Sequence, residues 1–238
     1  MNAKKELRKA AEENLHDAHG GVNGEFSRLE AELAARLSPD RRYEKYRTAV
    51  CDLLLAGESN PSLGRHIKGV LAGLVQTEPE FDLAIETAFG CAMQYVVTDT
   101  AAGAGTLIGY LKRTHGGMVV FLPAADMKPT AISDAVLRAC SEKGAIGRAA
   151  DLVQYDAEYE NLISVLLGNV LVCDDLKDAI GIAEKYRGTF RIVTSDGCDL
   201  RKDGTIGYRS GGKEGYFAAE REIRRLKAEI ARLKSISD

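Results

Sequence analysis

Tryptophan is absent from this 238-residue sequence, and long apolar runs are absent as well. No stretch of about 18 consecutive apolar residues occurs, which predicts no transmembrane helix. The residues after Met1 are largely charged instead of apolar, so the start does not have the pattern of a secretory signal peptide. These features predict a protein that is neither inserted in a membrane nor exported.

Cysteine is sparse. The five cysteines are scattered along the chain, at Cys51, Cys91, Cys140, Cys173 and Cys198. No two of them form a C-x-x-C pair, so the sequence indicates neither a zinc site nor a disulfide framework. Scattered cysteines in odd number are typical of reduced thiols in the cytoplasm.

Recognisable catalytic motifs are missing too. The sequence has no G-x-x-x-x-G-K-[ST] phosphate loop, no G-x-S-x-G elbow and no H-E-x-x-H metal motif. Two of the four histidines, His16 and His19, lie three positions apart, but no third ligand accompanies them. We therefore predict no catalytic residues, no metal site and no cofactor.

Charge of neither sign dominates. The sequence contains 32 Lys and Arg residues and 35 Asp and Glu residues, a formal net charge of −3. This balance argues against a chain-wide nucleic-acid or membrane binder but allows a local basic patch. The 45% of hydrophobic residues is enough for an ordinary core, and the length predicts one or two domains.

The C-terminal stretch from Lys213 to Asp238 is predicted to be one helix. Its apolar residues follow alternating steps of three and four, which is the heptad pattern of a coiled coil. They are Tyr216, Ala219, Ile223, Leu226, Ile230 and Leu233. Such a seam needs a partner to bury it, because an isolated helix of this length is marginal in water.

The N-terminal part is also predicted to be helical. Helices are expected at Leu7–His19, along the apolar stripe from Phe26 to Leu37, and at Arg41–Ala56, with a loop at Gly57–Gly64. These helices are expected to pack antiparallel against the C-terminal one. The alternative is that the two ends form independent surface helices.

The middle of the chain contains an internal repeat. The stretch Gly69–Gln76 is similar to Gly147–Gln154, which lies 78 positions later, and the next helix keeps this offset. Further on, Tyr95–Asp99 is similar to Val170–Asp174; each is a short β-prone run whose final Asp is expected to cap the following helix. The unit is predicted to be strand, helix, strand, helix, strand, which indicates an α/β architecture.

One glycine-rich segment leaves a nucleotide-binding alternative open. Gly103, Gly105 and Gly109 follow a predicted strand at the start of a predicted helix, which resembles a dinucleotide-phosphate turn. The spacing is one residue longer than usual, and the second copy of the repeat lacks these glycines. A helix start that merely contains glycine is the other interpretation.

A second glycine-rich segment, residues 203–212, joins the repeat to the C-terminal helix. Its four glycines allow a neighbouring backbone to approach closely. The interleaved Ile206, Tyr208 and Arg209 argue against a solvated linker. We expect a partner backbone to approach here, for example by strand addition at a sheet edge.

Together these motifs resemble the hinge domain of structural maintenance of chromosomes (SMC) proteins. The segments that carry the resemblance are Gly69–Val75, Phe81–Gly90, Tyr95–Val97 and Asp196–Gly212. The helical ends are similar to the roots of the long SMC coiled coil. The resemblance covers about residues 41–238.

The resemblance implies an α/β fold with mixed α+β sheets, in which two pseudo-repeated subdomains are flanked by antiparallel coiled-coil helices. The corresponding regions are an N-terminal helical arm at 1–58, hinge subdomain I at 64–125, a connecting helix with hinge subdomain II at 126–212, and a C-terminal arm at 213–238.

The resemblance also implies a dimerisation module that is not itself an enzyme, with ATPase heads outside this chain. The expected partner is a second copy of the chain, bound in a two-fold ring through paired sheet edges. The glycines expected at or near this contact are Gly69, Gly73, Gly204, Gly207, Gly211 and Gly212. The family's role in chromosome condensation and segregation implies a cytoplasmic, nucleoid-associated protein.

Sequence-independent DNA binding is a further implication. Residues 41–47 carry four basic side chains against one acidic one, and residues 220–234 carry six against three. Basic groups at an arm root can contact phosphate in a salt-dependent manner. The expected DNA-binding residues are Arg41, Arg42, Lys45, Arg47, Lys213, Arg221, Arg224 and Arg225. A solvated helix face balanced by Glu, and a stand-alone coiled-coil interaction protein, remain alternatives.

Overall fold

The computed structural model describes residues 26–35, 48–211 and 215–237. The chain divides into two compact units, one of Met1–Lys45 with Arg221–Asp238 and one of Tyr46–Glu220. The helix expected at Leu7–His19 and the basic segment 41–47 lie outside the described residues, as do Gly212 and Lys213. Among the described helices, none combines the length and the hydropathy that crossing a bilayer requires.

The first half of the larger unit alternates short strands and helices. Its elements are α1 (Thr48–Ser59), α2 (Pro61–Gly64), β1 (Ile67–Val70), α3 (Leu71–Leu74), β2 (Val75–Thr77), a 3₁₀ turn (Pro79–Phe81), α4 (Asp82–Phe89), a second 3₁₀ turn (Gly90–Gln94), β3 (Val96–Thr98), α5 (Ala101–Thr114) and β4 (Phe121–Pro123).

The second half repeats this order and extends it. Its elements are α6 (Asp134–Ala139), β5 (Ala145–Arg148), a 3₁₀ turn (Ala149–Leu152), β6 (Val153–Tyr155), another 3₁₀ turn (Ala157–Tyr159), α7 (Glu160–Leu167), β7 (Val170–Cys173), α8 (Leu176–Lys185), β8 (Arg191–Thr194), β9 (Cys198–Leu200) and β10 (Ile206–Tyr208), after which α9 spans Tyr216–Ser237.

Strand pairing confirms the internal repeat. In the first sheet, β3 lies between antiparallel β1 and parallel β4; in the second, β7 lies between antiparallel β5 and parallel β8. Both outer strands are irregular at the same place, between Ile67 and Gly69 and between Ala145 and Gly147. The predicted α/β class is confirmed, with mixed sheets. The second sheet differs by carrying β9 and β10 beyond β8.

The two halves share one hydrophobic core. Strand β2 of the first half pairs with β6 of the second, and α4 packs near α7 with Ile85, Phe89, Leu162 and Ile163 in the same buried cluster. A second cluster fills the space between α6, α8 and the large sheet. Because the main cluster draws on both halves, the repeats form one structural unit.

The helix caps lie one residue later than predicted. The sequence favours Asp99 and Asp174 as caps of the helices after β3 and β7, but Thr100 and Asp175 cap them instead. The Thr100 side chain accepts a hydrogen bond from the Gly103 N–H, and the Asp175 side chain accepts one from the Asp178 N–H. Either residue type suits an N-cap, so local sequence alone does not decide between neighbours.

The prediction of a loop at Gly57–Gly64 is wrong, because most of this segment is helical. Helix α1 continues to Ser59, and Asn60 then caps a one-turn helix that begins at Pro61. A β-carbon at Gly64 would overlap the Gly57 carbonyl oxygen. These two glycines therefore serve close packing between consecutive helices instead of marking a loop.

The C-terminal helix is confirmed, and three of its predicted seam residues, Leu226, Ile230 and Leu233, are buried. The seam pattern missed Phe217, which is 1% exposed and belongs to the main core, whereas Tyr216 is half-buried. In the smaller unit, residues 26–35 are helical and contact α9 through Lys234. Its ammonium lies 3.8 Å from a Glu30 carboxylate oxygen and 5.3 Å from the centre of the Phe26 ring.

Candidate functional site

The candidate site is the edge of the large sheet formed by the β9–β10 hairpin. Gly197 and Gly204 have φ values of +94° and +83°, which glycine adopts readily. The Arg201 N–H donates to the Thr205 carbonyl at 3.0 Å, and the Arg209 N–H donates to the Gly197 carbonyl at 2.8 Å. Backbone hydrogen bonds therefore join the two strands of the hairpin from the turn at one end to Arg209 at the other.

The outer side of β10 is open among the described residues, because β10 pairs only with β9. Antiparallel strands present alternate backbone groups to their neighbour. Since Thr205 and Arg209 bond to the β9 side, the backbone groups of Ile206 and Tyr208 lie on the open side. Their side chains are 58% and 71% exposed. Apolar side chains on an open edge strand are a liability unless another chain covers them.

A groove adjoins this edge. It has a volume of about 430 Å³ and lies between α8 and the hairpin. Ile180 of α8 and Ile206 of β10 supply apolar surface, while Lys202 and Asp203 at the turn of the hairpin supply charges of both signs. The edge strand and the groove together form an amphipathic surface.

The first half also has an open sheet edge among the described residues. In the second half, β8 is covered by β9, with Ile192 opposite Leu200. The equivalent strand β4 starts at Phe121, and within the described part of the chain it pairs with β3 alone. The first half therefore offers an open strand where the second half has β9 and β10.

The predicted interface glycines fall in two places. Gly204 lies in the turn of the hairpin and Gly207 in β10, while Gly211 follows the hairpin and lies near Leu83 of α4. Gly69 lies in β1 with φ of +150°, opposite Val97. Gly73 is exposed in α3, where an added β-carbon would lie 3.9 Å from the Glu220 carboxylate.

Sequence reasoning missed an ionic cluster centred on the buried side chain of Asp199 in the hairpin. The Arg191 guanidinium donates to Asp199 at 2.6 and 3.0 Å and also to the carbonyls of Thr87 and Ala88 at the end of α4. Arg201 donates to the same carboxylate at 3.0 Å. Burial favours a higher pKa for Asp199, but the hydrogen bonds and charges of Arg191 and then Arg201 hold the pKa below its usual range.

The predicted DNA-binding arginines of α9 lie on a helix that also carries acidic partners. Arg225 makes two hydrogen bonds of 2.8 and 2.9 Å to Glu222. Arg221 and Arg224 are half-buried on the same helix. The remaining basic candidates, Arg41, Arg42, Lys45, Arg47 and Lys213, lie outside the described residues. Helix α9 thus carries a basic face that is partly neutralised by Glu.

The start of α5 is already occupied by protein side chains, which argues against the nucleotide-binding alternative. Thr100 and Asp126 accept hydrogen bonds from the N–H groups of Gly103 and Ala101. A β-carbon at Gly103 would overlap a carboxylate oxygen of Asp99, which also contacts the His66 ring at 3.1 Å. Bound phosphate needs free N–H groups at such a helix start. Within the described ranges, no group of His, Cys, Asp and Glu is arranged to hold a metal ion.

The chain matches the model of a known protein family. Residues 65–183, half of the chain, match the family model described as SMC proteins Flexible Hinge Domain. The matched range begins just before β1 and ends within α8. It therefore covers the first copy of the repeat and most of the second, up to the helix before β8.

Curated relatives are similar over longer stretches. The chain is 30% identical over 228 residues to the Chromosome partition protein Smc of Desulfitobacterium hafniense (strain Y51), covering 94% of this chain and 18% of that protein. It is 35% identical over 141 residues to the protein of the same name from Bacillus subtilis (strain 168), covering 59% and 12%. The chain thus spans less than a fifth of the length of these relatives.

Solved structures agree with the sequence relatives. An asymmetric dimer of the Geobacillus stearothermophilus SMC hinge domain superposes with a TM-score of 0.77 at 28% identity, covering 94% of this chain and 89% of that one. The Pyrococcus furiosus SMC protein hinge domain superposes with a TM-score of 0.51 at 26% identity, covering 72% and 90%.

Proposed function

The chain belongs to the SMC flexible hinge family, and we propose that it is a dimerisation module that joins two coiled-coil arms by binding a second copy of itself. The relatives' name, chromosome partition protein, supports a role in chromosome segregation. The description of the Geobacillus stearothermophilus hinge as a dimer supports pairing of two chains.

The observation that carries this proposal is the open, apolar edge of β10. A second copy that adds its own β4 to this edge would continue the large sheet and cover Ile206 and Tyr208. Because each chain has one β10 edge and one β4 edge, two chains related by a two-fold axis can make this contact twice. Closed two-fold contacts of this kind are self-limiting. In this arrangement Gly207 and Gly211 lie near the contact, and we assign Gly204, Gly69, Gly73 and Gly212 to its surroundings.

We further assign sequence-independent DNA binding to the basic residues at the arm root. Arg221, Arg224 and Arg225 lie in one turn and a half of α9, close in sequence to Lys213. Arg41, Arg42, Lys45 and Arg47 add charge in the preceding arm. Several basic side chains on helical arms can neutralise phosphates and release counterions, so this affinity falls steeply with salt.

We assign the hinge no catalytic role of its own. The described residues present paired ions and capped helix starts instead of a free nucleophile beside a base. Nucleotide hydrolysis would then belong to other parts of a longer protein, consistent with the small share of the relatives that this chain spans. A cytoplasmic, nucleoid-associated location goes with this proposal.

The test is the molar mass in solution, measured by light scattering across a dilution series. We expect twice the chain mass of 25.7 kDa for the unmodified protein. The double variant Ile206→Lys with Tyr208→Lys should remain monomeric at concentrations at least about tenfold above those at which the unmodified protein dissociates, because charged edge strands oppose pairing. The control is Ile108→Lys, which alters a 41% exposed side chain on α5 and should leave the dimer intact.

Two outcomes would contradict the proposal. A monomer at every concentration of the unmodified protein would remove the dimerisation function. A dimer that survives the Ile206 and Tyr208 substitutions but dissociates on Ile108→Lys would place the contact on another surface.

A further inference from the structure

One buried carboxylate connects the open edge strand to the start of the C-terminal helix. Glu86 lies on α4, and its side chain is 4% exposed. Its Oε2 atom accepts a hydrogen bond from Arg209 Nη2 at 2.9 Å. Its Oε1 atom accepts one from the Phe217 N–H at 3.2 Å. Arg209 directly follows β10 and Phe217 lies in the first turn of α9, so a single side chain holds both elements.

Helix α4, which carries this carboxylate, is held in place by the core and by the large sheet. Its residues Ala84, Ile85 and Phe89 are buried in the core that the two halves share. Its last carbonyls, at Thr87 and Ala88, accept hydrogen bonds from Arg191 of the large sheet. Because α4 is held along its length and at its end, Glu86 has little freedom to follow a moving partner.

The start of α9 is held close to Glu86 by burial, by a side-chain hydrogen bond and by the absence of a side chain at Gly215. Phe217 is 1% exposed in the same core, and the Tyr216 hydroxyl accepts a hydrogen bond from Gln94 Nε2 at 3.0 Å. A β-carbon at Gly215 would overlap Glu86 Oε1, so the approach requires glycine at this position. A carboxylate is favourable at a helix N-terminus because it faces the positive end of the helix dipole.

The strand side depends on the geometry of the hairpin. The Arg209 N–H bonds to the Gly197 carbonyl, which keeps Arg209 in line with β10. A partner strand on the open edge would restrain the backbone of Tyr208, the preceding residue. Restraint there limits the positions of the Arg209 side chain, which is 36% exposed in the single chain.

We propose that Glu86 couples pairing at the β10 edge to the order of the first turn of α9. This inference rests on the proposed dimerisation. If β10 shifts, Arg209 leaves Glu86 with a buried charge that has no charged donor, and such a state is costly. Turning the carboxylate towards water relieves this cost, and that movement takes Oε1 away from the Phe217 N–H. The coupling is reciprocal, so an ordered start of α9 strengthens pairing at β10 by the same factor.

The experiment is hydrogen exchange at the backbone amides of residues 217–220. We compare the dimer with the monomer, obtained by dilution and by the Ile206→Lys with Tyr208→Lys variant. In the unmodified protein, these amides should exchange about tenfold faster in the monomer, a factor within the usual range for coupled sites. In Glu86→Gln, exchange should be fast in both states. The control Glu80→Gln removes an exposed carboxylate just before α4 and should keep the full difference.

A second variant covers the case in which Glu86→Gln does not fold. Arg209→Lys retains the positive charge and leaves the Glu86–Phe217 bond in place, but it loses the planar guanidinium. We expect the amides of this variant to exchange at the same rate in dimer and monomer. A tenfold difference that persists in Arg209→Lys would overturn the coupling.

The remaining outcomes separate the two proposals. Equal exchange in the dimer and monomer of the unmodified protein would overturn the role of Glu86 and leave dimerisation intact. A chain that is monomeric at every concentration would overturn dimerisation and the coupling together.

Discussion

Gln76 and Gln154 lie directly opposite each other in the ladder between β2 and β6, and they occupy the same position in the two copies of the repeat. Their neighbours are related in the same way, since Val75 faces Tyr155 and Thr77 faces Val153. A local two-fold axis therefore passes between these glutamines. The chain contains within itself the kind of symmetry that we propose for its dimer.

Truncating the buried valines of this ladder should destabilise both halves together. Val75 and Val153 are 0% and 8% exposed in the shared core. Val75→Ala and Val153→Ala should each lower the free energy of unfolding by about 1.5–3 kcal/mol, because apolar burial decreases and a cavity remains. Urea unfolding of either variant should remain a single transition. Gln76→Ala, at an exposed position of the same strand, is the control and should change stability little; separate transitions for the two halves would contradict a shared core.

Two glycines of α5 should respond in opposite ways to the same substitution. Gly103→Ala forces a β-carbon against Asp99 and His66 and should destabilise by about 1–3 kcal/mol. Gly105→Ala meets no atom within 4 Å and should stabilise the helix by about 0.5–1 kcal/mol. Thermal denaturation measures both. Equal effects of the two substitutions would show that Asp99 and His66 do not crowd Gly103.

The nucleotide-binding alternative has its own test at the same helix. Gly105→Glu places a negative charge beside the first turn of α5, which would abolish phosphate binding there. We expect no saturable nucleotide binding to the unmodified protein, because Thr100 and Asp126 already bond the N–H groups of that turn. Isothermal titration with a dinucleotide checks this. Saturable binding of the dinucleotide that is lost in Gly105→Glu would contradict this expectation and support a nucleotide site at the start of α5.

Acid should remove the stability that Asp199 contributes. Its pKa is lower in the folded protein than in the unfolded chain, so the contribution is complete above the unfolded value of about 3.9 and is lost as pH falls through the folded pKa. At neutral pH, Asp199→Asn should cost about 1–3 kcal/mol by depriving Arg191 of its partner. The gap in melting temperature between the two proteins should narrow from pH 5 to pH 2. A constant gap over that range would mean that the ion pair does not contribute.

Reversing three charges on α9 should weaken DNA binding. Arg221→Glu, Arg224→Glu and Arg225→Glu together should lower the affinity for duplex DNA and reduce the slope of log K against log salt by about three, one unit for each phosphate that is no longer neutralised. The matched control reverses Arg138, Lys143 and Lys177, which are exposed in the second half of the larger unit. Fluorescence anisotropy at several salt concentrations measures both. Equal reductions would indicate a response to net charge, and unchanged binding would rule out DNA binding by this face.

The repeat, the C-terminal helix and the glycine-rich segment could be predicted from local sequence alone. Each of them gives a regular pattern along the sequence. The patterns are a constant offset of 78 positions, apolar residues spaced by three and four, and glycines interleaved with Ile206 and Tyr208. Local features of this kind follow from backbone geometry, since a strand has a period of two and a helix a period of 3.6. Local sequence gave a wrong prediction at Gly57 and Gly64. These glycines indicate a loop by their residue type, but close packing between two helices requires them.

The identity of the open edge strand and of the buried groups in contact depends on long-range packing, which local sequence does not reveal. Glu86 bonds to Arg209 and Phe217, which are 123 and 131 positions away, and no periodicity predicts such contacts. Phe217 is not part of the predicted heptad seam, and its ring packs in the core of the larger unit, which is formed by residues distant in sequence. Burial and charge pairing depend on the packing of all the elements together, and for that reason the connection between the edge strand and α9 became visible only in the folded chain.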